Sequence, residues 1–290
     1  MKVSDYRVTL TDPVNGRRLV ISPEEECLFH LVEDGLSGFG CTGFDVTVRS
    51  YASTNGGYAQ KRRFAERELA LTFEIGGKDP DSLRREIVSL MDPSHDLELD
   101  VQAFGVHRCI TVIPAEEADF CRMGACGPVE ATLRFVAPAV FFRDAEKFTV
   151  AFRDAAPMLT FPMNLTAESG IVSGMYRTTD TASADNPGDG QCGLTARIRA
   201  SGGSVVNPGI QMGEKFVRCP LTLADGDELV IDTHTRQKNI LKNGERCFTF
   251  DKESVFFSLP AGKSTVAVTC DSGGEYLDAE ITFTPLYYGM

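Results

Sequence analysis

Two stretches in the first half of the chain alternate strictly between apolar and polar residues, the pattern of a strand with one buried face. Phe44, Val46 and Val48 alternate with Asp45, Thr47 and Arg49, and Leu69, Leu71, Phe73 and Ile75 alternate with Glu68, Ala70, Thr72 and Glu74. Between them, Thr54, Asn55, Gly56 and Gly57 suit the positive φ of a hairpin reversal. Residues 44–75 therefore read as one two-stranded arm with a packed base, its reach on the order of tens of ångströms at about 3.3 Å per residue. Toward the tip the alternation gives way to Ser50, Gln60, Lys61, Arg62 and Arg63, leaving Tyr51, Tyr58 and Phe64 as large flat side chains. From pattern alone, a polar loop and a contact arm are both open readings.

Around the arm the pattern predicts further elements. Tyr6 to Leu10 and Arg18 to Ile21 form an N-terminal hairpin, which leads to the connector Gly35-Leu36-Ser37-Gly38-Phe39-Gly40-Cys41-Thr42-Gly43. A helix is expected over about 80–91, with Asp79 as cap, Pro80 in the first turn and Leu83, Ile87, Leu90 and Met91 as one apolar stripe; Pro93 stops it. Strands resume at Asp96 to Phe104, Arg108 to Ile113 and Val129 to Val136, and Pro138 to Asp144 reads as a linker. The remaining residues lack a comparable helix. Short alternating runs there are separated by turns such as Asn186-Pro187-Gly188-Asp189-Gly190, Asp225-Gly226-Asp227 and Asn243-Gly244, the signature of a β-sandwich.

Composition narrows the classes. The 290 residues are 42% hydrophobic, enough for substantial cores, and carry a net charge of −12, with the acid excess spread evenly over both halves. A nucleic-acid binder needs a basic surface, so that class is excluded. No basic-then-apolar leader opens the chain and no run approaches the ~20 apolar residues of a membrane span, so cytosolic synthesis without membrane insertion is expected. Nine cysteines without a C-x-x-C pair predict reduced, mostly buried thiols rather than a disulfide framework.

Candidate chemistry is sparse. Gly38-Phe39-Gly40-Cys41-Thr42-Gly43 is a literal G-x-G-x-x-G, but a dinucleotide site needs a helix after it and the run that follows has period two. Cys121 and Cys126, with His107 upstream, lack the second pair of a zinc site. His95, Asp96, Glu98 and Asp100 put carboxylates on one strand face, which suits a solvated face better than a cation. No G-x-S-x-G is present, and the four histidines suggest no triad. Tryptophan, the favoured sugar-stacking residue, is absent, and His234 to Asn239 reads as a polar continuation of a strand. No catalytic, cofactor or metal residue is assigned, and an enzyme is not expected.

Several segments, taken in order, carry a resemblance. They are Gly56-Gly57 followed by Arg67-Glu68-Leu69-Ala70-Leu71-Thr72-Phe73, the helix end Leu90-Met91-Asp92-Pro93, and Ala131-Thr132-Leu133-Arg134-Phe135 leading to Ala137-Pro138. Asn186-Pro187-Gly188-Asp189, the run from Leu221 to Thr233, and Phe257-Ser258-Leu259-Pro260-Ala261-Gly262 follow. Together they resemble the distal tail proteins of long-tailed, non-contractile (siphovirus) bacteriophages. The resemblance implies a mainly β chain in two domains. Residues 1–143 would form a β-sandwich or split-barrel-like domain with one α-helix and the hairpin arm; 144–290 would form a galectin-like β-sandwich. It implies a virion structural protein at the tail tip or baseplate, whose six-membered ring joins the tail tube protein to the tail-tip hub and anchors receptor-binding parts. The 147 residues after Arg143 fit the compact form without an inserted carbohydrate-binding module, so the galectin likeness speaks for fold alone. In such a ring an arm crosses to its neighbour, and Arg49, Tyr51, Tyr58, Lys61, Arg62 and Arg63 are the expected interface. The alternative is a carbohydrate-binding adsorption module on the host surface.

Overall fold

The strands of the first half pair antiparallel throughout, some as hairpins and others between strands far apart in the chain. The computed structural model describes residues 5–77, 80–122, 128–157, 174–178, 180–235 and 237–290. It divides into two compact units, Met1–Ala145 with Leu286–Met290, and Glu146–Pro285.

The first unit contains β1 (Tyr6–Asp12), β2 (Arg17–Ile21), β3 (Phe29–Ser37), β4 (Phe44–Ser50), β5 (Gly57–Phe64), β6 (Arg67–Ile75), α1 (Pro80–Leu90), β7 (Leu97–Ala103), β8 (Val106–Pro114), β9 (Asp119–Arg122), β10 (Val129–Ala137) and β11 (Phe142–Asp144). Its main sheet runs β2-β1-β7-β8-β10-β6-β3, with β9 added to β10 and β11 to β8. Alternate residues of these strands share one core: Val8 and Leu10, Leu97, Leu99 and Val101, Ile110 and Val112, Leu133 and Phe135, and Leu69, Leu71, Phe73 and Ile75. Ile87 and Leu90 of α1 enter the same core, as the expected stripe requires; the expected cap, Asp79, lies outside the described residues.

Three expectations are corrected. β6 is not the second strand of the arm: it lies in the main sheet, between β10 and β3. The arm is the separate β4–β5 hairpin, so its span is seven β4 residues, roughly 23 Å at 3.3 Å each. The stretch 138–144 is not simply a linker, since β11 pairs on one side with β8 and on the other with Leu286–Tyr287. Those last residues pack with the first unit, whereas the sequence reading ran the second domain through to Met290.

The second unit has a six-stranded sheet, ordered Phe148–Ala151, Leu277–Phe283, Leu194–Ala200, Glu228–Asp232, Asn239–Lys242 and Glu245–Arg246. A four-stranded sheet of Thr181–Asn186, Gly262–Thr269, Gly209–Met212 and Lys215–Arg218 accompanies it. Each buries one face: Ala196, Ile198, Leu229, Ile231 and Ile281 from the first, and Ala184, Ile210, Val217, Val266 and Val268 from the second. That is the two-sheet burial pattern of a sandwich. Two of the segments that carried the resemblance meet at Asn186. Its buried side-chain amide donates to Gly190 O at 3.0 Å and Pro260 O at 3.1 Å, while its Oδ1 accepts from Gly188 N at 3.0 Å. His234 to Asn239 does not extend a strand: Glu228–Asp232 ends before it, and the connection leads to Asn239–Lys242.

Candidate functional site: the β4–β5 arm and its root

The arm pairs with nothing but itself among the described residues. β4 faces β5 from Phe44↔Phe64 to Ser50↔Gly57, with a register shift between Thr47 and Val48 that leaves Gln60 as the extra residue of a bulge. At the tip, Tyr51 N donates to Gly56 O at 3.1 Å. Gly56 sits at φ 99°, where a side chain is strained, and a Cβ on Gly57 would stand 2.4 Å from the Arg49 carbonyl oxygen. This turn is therefore built from the two glycines that the sequence offered for it.

Period two and this register give the hairpin two unlike faces. One holds Asp45, Thr47, Arg49, Lys61 and Arg63. Asp45 Oδ2 accepts from Lys61 Nζ at 2.8 Å and from Arg63 Nε at 2.7 Å, and these two cations hold the Asp45 carboxyl below its usual range. Arg49 Nε donates to Gln60 Oε1 at 2.5 Å. The other face holds Phe44, Val46 and Val48, which are 65%, 53% and 64% exposed. Arg62 stands opposite Val46 on that face with no hydrogen bond or ion pair among the described residues. Tyr51 and Tyr58 stack near the tip, ring centroids 5.9 Å apart.

All six sequence-predicted interface residues lie on the hairpin, with Arg49, Tyr58, Lys61 and Arg63 on the charged face and Arg62 on the other. Lys61, Arg63 and Arg49 are tied within the arm, whereas Arg62 and the two tyrosines remain available. Sequence reasoning omitted the apolar stripe of Phe44, Val46 and Val48. Its period was visible, but it was read as the packed base.

The root is built differently. Phe64 lies among Phe44, Phe141 and Tyr288, with centroids 5.5, 5.0 and 4.8 Å away. Three residues on, Arg67 is 1% exposed and its guanidinium is spent on backbone carbonyls. Nε donates to Val140 O at 2.7 Å, and one terminal nitrogen donates to Gly38 O and Gly40 O, each at 2.7 Å. The other terminal nitrogen donates to Tyr288 O. The guanidinium carbon also lies 4.7 Å from the centroid of the Phe142 ring. Burial pushes the pKa of Arg67 down, yet an arginine stays charged, and the carbonyl oxygens supply the compensation that a buried charge needs. The G-x-G-x-x-G thus has a physical role without a ligand: two of its carbonyls face a guanidinium. Gly38, at φ 83°, has no room for a Cβ, which would stand 1.9 Å from Glu68 O. Met290 N donates to Phe39 O at 2.8 Å and Tyr287 Oη to Asp144 at 3.0 Å. The arm's root is closed by these last residues.

The remaining candidates are dispersed. Cys121 lies on β9, Cys126 is outside the described residues, and His107 is on β8. Of the eight described cysteines two, Cys192 and Cys219, are fully buried, while Cys41 and Cys121 are exposed; the expectation of mostly buried thiols is corrected. His95 faces Asp12 at 3.4 Å, and Glu98 is paired with Arg143. Asp227 caps its turn by accepting from Ala224 N at 3.0 Å and Asn243 Nδ2 at 2.8 Å. In the second unit a cleft of about 490 Å³ is lined by Asp180, Thr269, Asp271, Ser272 and Glu275 among others, and no described lining residue is aromatic. No helix among the described residues is long and apolar enough to cross a membrane.

Among the described residues this is a two-unit, antiparallel β chain with one α-helix and a separate β4–β5 hairpin, and solved structures share that fold. The fold is similar over 96% of this chain and 98% of the other to the crystal structure of SPP1 Dit (gp 19.1), described as a paradigm of hub adsorption apparatus in Gram-positive infecting phages, at 15% identity and a TM-score of 0.67. It also resembles a chain of the phage P2 baseplate in its activated conformation with Ca, covering 97% of this chain and 98% of that one at 10% identity and a TM-score of 0.50. No curated protein matches the sequence. Residues 188–287 match the family model described as siphovirus-type tail component, C-terminal domain. Residues 188–287 thus carry the likeness to a siphovirus-type tail component domain, and the whole chain shares the fold of SPP1 Dit.

Proposed function

We propose that this protein is a structural component of a phage tail tip, a ring-forming distal tail protein that joins the tail tube to the tail-tip hub. The β4–β5 arm then makes the contact between neighbouring copies. The observation that carries this reading is the exposed stripe of Phe44, Val46 and Val48 on a hairpin that no other described strand covers. Three large apolar side chains in a row on a free two-stranded ribbon are costly to leave in water and are the usual mark of a contact surface. Arg62, Tyr51 and Tyr58 add residue types favoured at interfaces. The partners are copies of the chain, probed first, with tube, hub and receptor-binding proteins above and below the ring, in the virion. The protein acts by assembly rather than by turnover.

The experiment is the mass of the full chain by light scattering over a concentration series, beside a variant lacking residues 53–60. Self-association that the deletion abolishes supports the arm contact. Self-association of equal strength in the variant, or none at any concentration in either, overturns it.

A further inference from the structure

The sheet face at the β7–β8 hairpin brings together three side chains of different donor type. Asp100 and Cys109 are directly opposed across the pair, and His107 lies two residues nearer the turn on the same face. His107 Nε2 is 2.9 Å from Asp100 Oδ2, and Cys109 Sγ is 3.2 Å from the same oxygen. The three donor atoms all lie within 4.8 Å of one another. Asp100 and Cys109 are half-buried and His107 is exposed, so the cluster opens to solvent on one side. The turn that holds them is tight, with Phe104 and Gly105 both at positive φ, 56° and 78°, the type I′ geometry that sets strand register.

We propose that Asp100, His107 and Cys109 form a binding site for a zinc-class divalent transition metal, which pins the β7–β8 hairpin. One oxygen, one imidazole nitrogen and one sulfur is a borderline-soft donor set; calcium and magnesium call for oxygens alone. Zinc bonds of about 2.0–2.3 Å at tetrahedral angles hold donor atoms roughly 3.3–3.8 Å apart, so the observed spacing needs only small side-chain shifts. Three protein ligands leave a fourth position for water.

The surroundings favour a cation here. Arg143, the cation adjoining this face, is already paired through Nη2 with Glu98 Oε1 and Thr111, so it does not neutralise Asp100. The Cys109 thiol donates a hydrogen bond to Asp100 Oδ2. A divalent ion draws the Asp100 carboxylate and the Cys109 sulfur together, and a coordinated thiol is deprotonated outright. On binding, the Cys109 S–H bond breaks, the sulfur lone pair goes to the metal, and one proton leaves to solvent.

The test is titration of the reduced full chain with Co²⁺, whose thiolate bond gives a near-ultraviolet charge-transfer band. One equivalent is expected to raise that band in the wild type and in Cys41→Ser, but not in Cys109→Ser. His107→Gln and Asp100→Asn are expected to weaken binding by on the order of 100-fold, at least what loss of an outer-shell partner costs. No thiolate band in the wild type, or a band that survives undiminished in Cys109→Ser, overturns the proposal. A second readout needs no variant: Zn²⁺ is expected to protect Cys109 from alkylation in the wild type, mapped by peptide mass, and equal labelling with and without Zn²⁺ also overturns it.

Discussion

β4 and β6 carry the same alternation of apolar and polar residues, yet one has its apolar side in water and the other forms the centre of a core. Val46 and Val48 are more than half exposed, while Leu71 and Phe73 are at 0%. The cause lies in their neighbours. β6 is flanked on both edges, with Leu71 opposite Leu133 on β10 and Leu36 on β3, and the edge of the Phe29 ring meets Phe73 at 5.7 Å. β4 has a single partner strand among the described residues, and an isolated two-stranded ribbon is marginal without a further layer to pack on. Period two identifies a strand with an apolar side; it does not say what covers that side. In β6 the cover is intramolecular. In β4 no described strand supplies it, which is why the arm reads as a contact surface.

The comparison is broken or sharpened by matched substitutions. The largest effect is expected in β6, where Phe73→Ala should cost about 3–5 kcal/mol through lost burial and the cavity left behind, read as the midpoint of chemical denaturation. At the junction of the two regions, Arg67→Met is expected to destabilise by roughly 3 kcal/mol, because the carbonyls of Val140, Gly38, Gly40 and Tyr288 are left buried without their donor. The same variant should free the last residues to proteolysis. In β4, Val48→Ala is expected to change stability by no more than about 0.5 kcal/mol while weakening self-association; a cost near that of Phe73→Ala would mean that the stripe is covered within the chain.

The smallest effects are electrostatic. Lys61 and Arg63 depress the Asp45 carboxyl, so their stabilisation of the arm is present above the ordinary carboxylate pKa and is lost as pH falls through the depressed value. Resonances of Lys61 and Arg63 are expected to shift in acid, and Asp45→Asn should show the shifted state already at neutral pH. Asp227 behaves alike in the second unit. Its carboxyl is held at about 2, chiefly by the Asn243 side chain and then by Ala224 N and Lys242. Its contribution is complete above about 4, the ordinary carboxylate range, and disappears as pH falls through about 2. Acid unfolding that is identical in Asp227→Asn would contradict this.

Much of the fold was legible because local chemistry dictated it. The helix was found from Pro80 and the stripe of Ile87 and Leu90, the arm's turn from Gly56 and Gly57, and the sandwich from evenly spaced Asp, Asn and Gly turns. The site was legible only in part. All six expected contact residues fall in the arm segment that the sequence delimited, but Lys61 and Arg63 are engaged by Asp45 across the strand pair, a partnership set by register. Arg67, the residue that anchors the root, left no sequence signal. Its partners are backbone carbonyls from residues 27 to 221 positions away, and carbonyls have no residue identity to read. In the cluster of Asp100, His107 and Cys109, the first two fell into unrelated readings and Cys109 into none, for the same reason: only the ladder brings the strands into register.

By itself, then, the sequence determined the strand periods, the turns, the helix over Pro80–Leu90 and the order of segments that carries the resemblance. These depend on dihedral preferences and side-chain alternation within a few residues. The tertiary structure decided that Arg67–Ile75 joins the main sheet while Phe44–Phe64 stands apart, and that Leu286–Met290 returns to close the arm's root. Those outcomes rest on strand partners far apart in the chain, and backbone hydrogen bonds pair strands without regard to the side chains that a sequence spells out.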